Sequence, residues 1–234
     1  LGYSMSTLEV NSIDKESGST LTLGGSGTQV TLHASATSSG FDSGLASVQV
    51  FTSSGTWTKP ATGITKVVVE VQGAGGSGGV INGSYAGPGA AGGYAKKFIN
   101  VSSISSSTVT IGSGGTGVTS GSGNNGGASS WSDGTNTISC GGGGGGDGTP
   151  NYLSQPGGAA TGGDINIPGQ DSDYIRGSGA ASVLGHGGPD SSASSSFTGG
   201  SSPNARGYGA GGSPSYTSTS GNGGDGIIVV WEYK

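Results

Sequence analysis

Tyr85, Tyr152, Tyr174, Arg176, Phe197 and Tyr216 stand in short polar inserts between glycine runs. Aromatic rings stack on sugar faces or fill protein grooves at little entropic cost, and Tyr and Arg are enriched at interfaces. The chemistry these residues offer is non-covalent recognition of a protein or a glycan. The plainer alternative is that each ring caps the end of a glycine layer as local packing. Ser191–Ser196 adds a row of hydroxyls that suits a glycan, or is a loose tip.

Other constellations are weaker. Asp171-Ser172-Asp173, with Asp133, Asp147, Asp164, Asp190 and Asp225, invites a calcium reading, but neither an EF-hand loop nor a nonapeptide calcium repeat is present. No metal site and no cofactor are expected. His33 and His186 could ligate a metal on the axis of a trimer; solvated or hydrogen-bonded imidazoles are the simpler reading. Beyond residue 50 the glutamates are Glu70 and Glu232, both in strand-like stretches rather than in a cleft loop. There is no nucleophile elbow, and Gly-x-Gly-x-x-Gly matches arise by chance in this composition. No enzyme is expected. Cys140 is the sole cysteine, which rules out an intrachain disulfide and reads as a small apolar residue at a strand end.

What must position the inserts is mostly glycine. Cys140 is followed by six glycines in a row, and glycine recurs densely from Gly73 to Gly226. Glycine loses more backbone freedom on folding than any other residue, so side-chain burial cannot hold such runs. Backbone hydrogen bonds can. A three-per-turn helix of the polyproline type has none internally, but glycine lets such helices lie side by side and bond laterally. Collagen is disfavoured because the Gly-X-Y period breaks and there are only 8 prolines. The alternative is a disordered linker.

Composition narrows the class. With 29% hydrophobic residues a conventional core is marginal, and with 9% charged residues ordinary disorder is disfavoured too. Against 8 basic residues stand 13 acidic ones, a net charge of -5 that disfavours nucleic acid as partner. Leu1 is not an initiator Met, so the chain reads as a fragment or a processed product. It shows no signal-peptide pattern and no apolar run long enough to span a membrane.

Along the chain, Thr20–Leu23 and Gln29–Leu32 read as two alternating strands joined by a glycine turn. Two short strands are marginal in water, and wrapping several copies around an axis is the simplest remedy. Residues 1–46 are therefore expected to form the end of a fibre stalk, and 47–234 a glycine-rich C-terminal tip. In the second part Val48–Thr52, Lys66–Gln72, Gly92–Val101, Ser107–Gly112 and Ile227–Tyr233 read as strands, and Ser129–Ile138 as a hairpin about Asp133-Gly134. The spacing suggests that Ser107–Gly112 pairs with Gly92–Val101, and that the last strand pairs with Val67–Val71 to close a small sheet or sandwich.

Gly55-Thr56-Trp57-Thr58-Lys59-Pro60 leading to Val67–Gly76, then Gly93–Lys97, Gly162–Gln170 and Gly224–Val230, occur in the order that resembles the glycine-rich tip domain of tailed-bacteriophage tail fibres. Residues 17–32 are similar to a repeat of phage fibre shafts. The resemblance implies an all-β fold: a short trimeric β stalk followed by a β-sheet base with packed polyglycine-type helices, a glycine-rich sandwich. It implies a homotrimer on the virion that binds a bacterial surface protein or glycan, with no membrane insertion and no catalytic residue. A purely structural fibre, or a phage-derived fibre on a bacterial cell surface, are the alternatives. Rigid glycine runs recognise poorly, so binding falls to the inserts Val80–Ala86, Thr149–Pro156, Gln170–Arg176, Pro189–Thr198 and Ser213–Ser220.

Overall fold

The computed structural model describes residues 44–61, 63–84, 86–151, 153–174, 177–189 and 202–234. The expected stalk strands lie outside them. The described residues contain strands and no helix. In chain order the strands are β1 (Leu45–Phe51), β2 (Gly55–Thr58), β3 (Lys66–Gln72), β4 (Tyr94–Asn100), β5 (Ser106–Thr110), β6 (Ser129–Ser132), β7 (Thr137–Cys140), β8 (Ala160–Thr161), β9 (Ile165–Ile167), β10 (Gly185–His186), β11 (Arg206–Gly207) and β12 (Ile227–Tyr233).

β3 alternates as its residues demand: Val67, Val69 and Val71 are buried, and Val68 and Glu70 turn to the other face. β12 pairs with it antiparallel along its whole length, Ile228 opposite Val71 and Val230 opposite Val69, as the sequence suggests. β4 and β9 extend this sheet on one side and β1 on the other, in the order β1-β12-β3-β4-β9. A second antiparallel sheet, β2-β5-β6-β7-β8, packs on its inner face. Their shared core holds Val67, Val69, Val71, Ile228 and Val230 against Trp57, Val109, Trp131 and Ile138, with the two indole rings tilted at a centroid distance of 6.2 Å. Glu232 reaches into this core, fully buried. It accepts hydrogen bonds from Trp57 Nε1 (2.7 Å), Gln49 Nε2 (2.7 Å) and Ser47 Oγ, which supply the solvation that burial removes.

One expected pairing is overturned. β5 does not form a hairpin with β4; it crosses to the second sheet between β2 and β6. Both edges of β4 are already taken, by β3 and β9. β2, read from sequence only as the approach to Pro60, provides the free edge and sets Gly55 opposite Val109. The β6–β7 hairpin forms where expected, with Gly134 at φ 90°. Asp133 caps it through bonds from the Thr135 and Asn136 N–H groups. Burial pushes the Asp133 carboxyl up, but the bonds from Asn136 and Thr135 outweigh it and hold the group below its usual value.

From these strands the chain runs into the glycine segments, and there the bonding changes period. Residues 73–80 continue β3 and are buried throughout. The N–H groups of Gly73, Gly76 and Gly79 donate to Gly93, Ala90 and Gly87. Those of Ala74, Ser77 and Val80 donate to Gly127, Asn124 and Gly121, and those of Gly75 and Gly78 to Gly224 and Gly221. In return the carbonyls of Ala74 and Ser77 accept from Gly143 and Gly146, that of Gly75 from Gly115, and that of Gly76 from Gly212. Residues three apart face the same neighbour, and every donor is satisfied by another segment's backbone. The returning segment repeats the pattern: Gly87, Ala90 and Gly93 donate to Asp147, Gly144 and Gly141. At the rim of the layer side chains replace missing carbonyls at the same spacing. Asp225 Oδ1 accepts from Gly114 N (2.7 Å) and Asn222 Oδ1 from Gly117 N (2.7 Å). For these runs the linker reading does not hold.

Candidate functional site

The route of the chain decides where the inserts go. β3 enters the glycine layer at Gly73, and the chain turns back beyond Val80 and returns through Gly93 to β4. β7 enters at Gly141, turns beyond Gly148, and returns to β8. The turns therefore lie at the end of the layer away from the sheets. Backbone contacts tie them together there. Val80 exchanges hydrogen bonds with Gly121 and bridges Ser215, and Gly83 N donates to the Tyr216 carbonyl at 3.2 Å. Gly87 N donates to the Asp147 carbonyl at 2.7 Å, and a Cβ on Gly87 would stand 3.5 Å from the Tyr174 carbonyl. Ser172 joins the inserts 149–156 and 170–176: its N–H donates to Gln155 O, its hydroxyl accepts from Gln155 N, and its carbonyl accepts from Ser154 Oγ.

Of the six residues singled out from sequence, Tyr174 and Tyr216 fall among the described residues. Both are exposed, at 61% and 43%, on turns of this distal end. Tyr85, Tyr152, Arg176 and Phe197 lie outside the described residues, as does Ser191–Ser196.

The organising residue of the end is one that sequence reasoning placed among scattered aspartates. Asp147 is buried. Its carboxylate accepts from the N–H groups of Thr149 (3.0 Å) and Leu153 (2.6 Å) and from Thr149 Oγ1 (3.1 Å). It folds the 149–153 turn and leaves Leu153 58% exposed at its crest. Asp171 likewise accepts from Gly157 N (2.8 Å), and Asp164 from Phe98 N (2.8 Å), the bond that holds its carboxyl below the usual value. These acids serve the backbone. Among the described residues no three His, Cys, Asp or Glu side chains converge as metal ligands. Cys140 ends β7, buried, with its thiol 3.3 Å from the Val71 carbonyl; burial pushes its pKa up to about 12.

Sequence reasoning also missed a shallow groove of about 410 Å³ lined by Ala181–His186 and Arg206. In the sequence, 177–188 is part of the dense glycine region between Gly73 and Gly226. The chain instead turns at Val183 and Leu184, and β10 pairs with β11 so that His186 stands opposite Arg206. The available signal was the break in glycine density at Ala180–Leu184.

A family model described as a glycine-rich domain matches residues 49–233. No curated protein matches the chain.

Proposed function

The chain belongs to the glycine-rich domain family, and from that premise we propose that it is the receptor-binding tip of a tail fibre, holding a bacterial surface protein or glycan non-covalently. The observation that supports this reading is the gathering of the described parts of the inserts 80–86, 149–156, 170–176 and 213–220 at one end of a buried, laterally bonded layer, with Tyr174 and Tyr216 exposed on it. In this reading the three-residue period of the lateral bonds is that of polyglycine-type helices packed as a sandwich. Such a layer fixes loop bases rigidly and leaves the loop crests free to carry specificity. Several copies on one fibre let weak contacts add.

The test is binding of the labelled full chain to a panel of intact bacteria. Tyr174→Ala together with Tyr216→Ala removes two exposed rings, so the fold is retained. The double variant is expected to bind the host at least about 10-fold more weakly. Unchanged binding, or no binding to any surface by the unaltered chain, sinks the reading.

A further inference from the structure

Three asparagines of the chain are followed by glycine, at Asn82-Gly83, Asn125-Gly126 and Asn222-Gly223. Asparagine is thermolabile, and a following glycine has no side chain to keep its backbone nitrogen from the asparagine Cγ. All three asparagines are exposed, so access to water does not separate them. The glycine layer does. Asn125 Oδ1 accepts from Gly145 N at 2.8 Å, and Gly126 N donates to the Gly143 carbonyl at 2.9 Å. Asn222 Oδ1 accepts from Gly117 N at 2.7 Å, and Gly223 N donates to the Gly115 carbonyl at 2.9 Å. In both pairs the amide is held by one segment and the nitrogen by another. A Cβ on Gly126 would overlap the Ala74 carbonyl and one on Gly223 the Gly75 carbonyl, so neither backbone has room to shift. Asn82 and Gly83 stand differently. They are the central residues of a turn closed by Ser84 N donating to the Ile81 carbonyl at 3.0 Å, with Gly83 at φ 75°. Gly83 is exposed too, and a Cβ on it would meet nothing within 4 Å. The Asn82 amide has no hydrogen-bond partner among the described residues. Gly83 N is held by one bond, to the Tyr216 carbonyl at 3.2 Å.

We propose that Asn82 is a modification site, which loses its amide spontaneously while Asn125 and Asn222 keep theirs. The Gly83 nitrogen attacks Asn82 Cγ and a C–N bond forms. The carboxamide nitrogen leaves as ammonia, taking up the Gly83 N–H proton, and a cyclic imide remains. Water opens the imide at either carbonyl. One opening leaves an aspartate at position 82; the other leaves an isoaspartate, whose main chain runs through the former side-chain carbonyl and is one methylene longer. One water enters and one ammonia departs, with no oxidant and no partner. Both products put a new negative charge on the insert end of a chain with 13 acids against 8 bases. The longer backbone also displaces Gly83 N from the Tyr216 carbonyl, and so loosens the 80–86 turn from 213–220. The insert end therefore changes with time in one direction, and the layer that carries it does not. This chemistry proceeds whether or not that end binds a receptor.

The experiment incubates the full chain at mildly alkaline pH, folded in buffer and unfolded in guanidinium chloride. Peptide mapping by mass spectrometry at stepped times reads amide-to-acid conversion at each of the three asparagines, and an isoaspartyl methyltransferase reads the isoaspartate. In the folded chain Asn82 is expected to convert at least about 10-fold faster than Asn125 or Asn222, because each of those must first release its own side-chain bond and its layer contacts. In guanidinium chloride the three are expected to convert at similar rates. The Gly83 N–H should lose its protection from hydrogen exchange as the isoaspartate accumulates. Asn82→Gln, at an exposed turn position, should leave the melting temperature unchanged and abolish both the methyltransferase signal and the loss of protection. Asn125 or Asn222 converting as fast as Asn82 in the folded chain overturns the proposal. So does an Asn82 that stays intact when folded yet converts when unfolded.

Discussion

Between the two sheets, Trp57 lies against Trp131 and the valines of β3 meet Ile138; in the layer beyond them, Gly76 meets Gly144, Ala90 and Gly212. The first region is held by side chains and the second by backbone. In the sheets, removing a methyl group leaves a void. In the glycine layer, adding one drives into a neighbouring carbonyl. The two regions share strands, because β3 and β7 run on into glycine segments and β4 and β12 continue out of them. The sandwich thus anchors the ends of segments that could not order themselves against the entropy of glycine. The layer returns rigidity to loops that a sheet of this size would leave loose.

The comparison can be broken most directly at Gly143. A Cβ there would overlap the Ala90 carbonyl, which is itself bonded to Gly76 N. Gly143→Ala is expected to cost about 4 kcal/mol or more, on the scale of the most damaging single substitutions. Gly144→Ala, one residue on, meets Gln155 Cβ at 3.0 Å and Pro156 O at 3.2 Å, and should cost far less. Equal urea midpoints for the two would refute the claim that backbone contact, not glycine content, holds the layer.

The next largest effect belongs to the sandwich. Ile138→Ala, at a fully buried position, should cost about 2–5 kcal/mol through lost transfer energy and a cavity. Urea denaturation reads it, and a loss near zero would show that the two sheets are not the anchor described above.

The smallest effect per measured step, one pH unit at a time, is at the junction, where Cys140 ends β7 and begins the longest glycine run. Burial holds its thiol pKa near 12 against 9.0 for a free thiol. Below pH 9 both folded and unfolded chains keep the proton and pH has no effect through this group. From pH 9 towards 12 only the folded chain keeps it, so stability falls as pH rises, by at most about 1.4 kcal/mol per unit. Cys140→Ala should flatten that slope in melts taken at stepped alkaline pH. An unchanged slope would mean that the thiol is not the group responsible.

Side-chain alternation carried much of this fold into view. Val67, Val69 and Val71 mark β3 and its buried face, Ile227–Tyr233 marks β12, and Asp133-Gly134 marks the hairpin turn. Pairing was harder to read where alternation is short: β5 buries only Ser107 and Val109 and does not announce which sheet it joins. The glycine runs hid most, because a residue without a side chain carries no pattern that names its neighbour. A trace of the period is present all the same. Ala74, Ser77 and Val80 are spaced by three, as are Ser122, Asn125 and Ala128, and Asn222 and Asp225. For the candidate site, the inserts were legible as breaks in glycine, whereas Asp147 and the Val183–Leu184 turn were not.

The sequence by itself pointed to an all-β fold, which the described residues show, to where its longest strands lie, and to backbone bonds as the means by which glycine segments could be ordered. Those properties follow from residue type and local period. Only the tertiary structure decided which segment bonds to which, that β5 crosses to the second sheet, and that the described parts of four inserts share one end. Backbone donors and acceptors are chemically alike at every residue, so which of them meet depends on how whole segments stack.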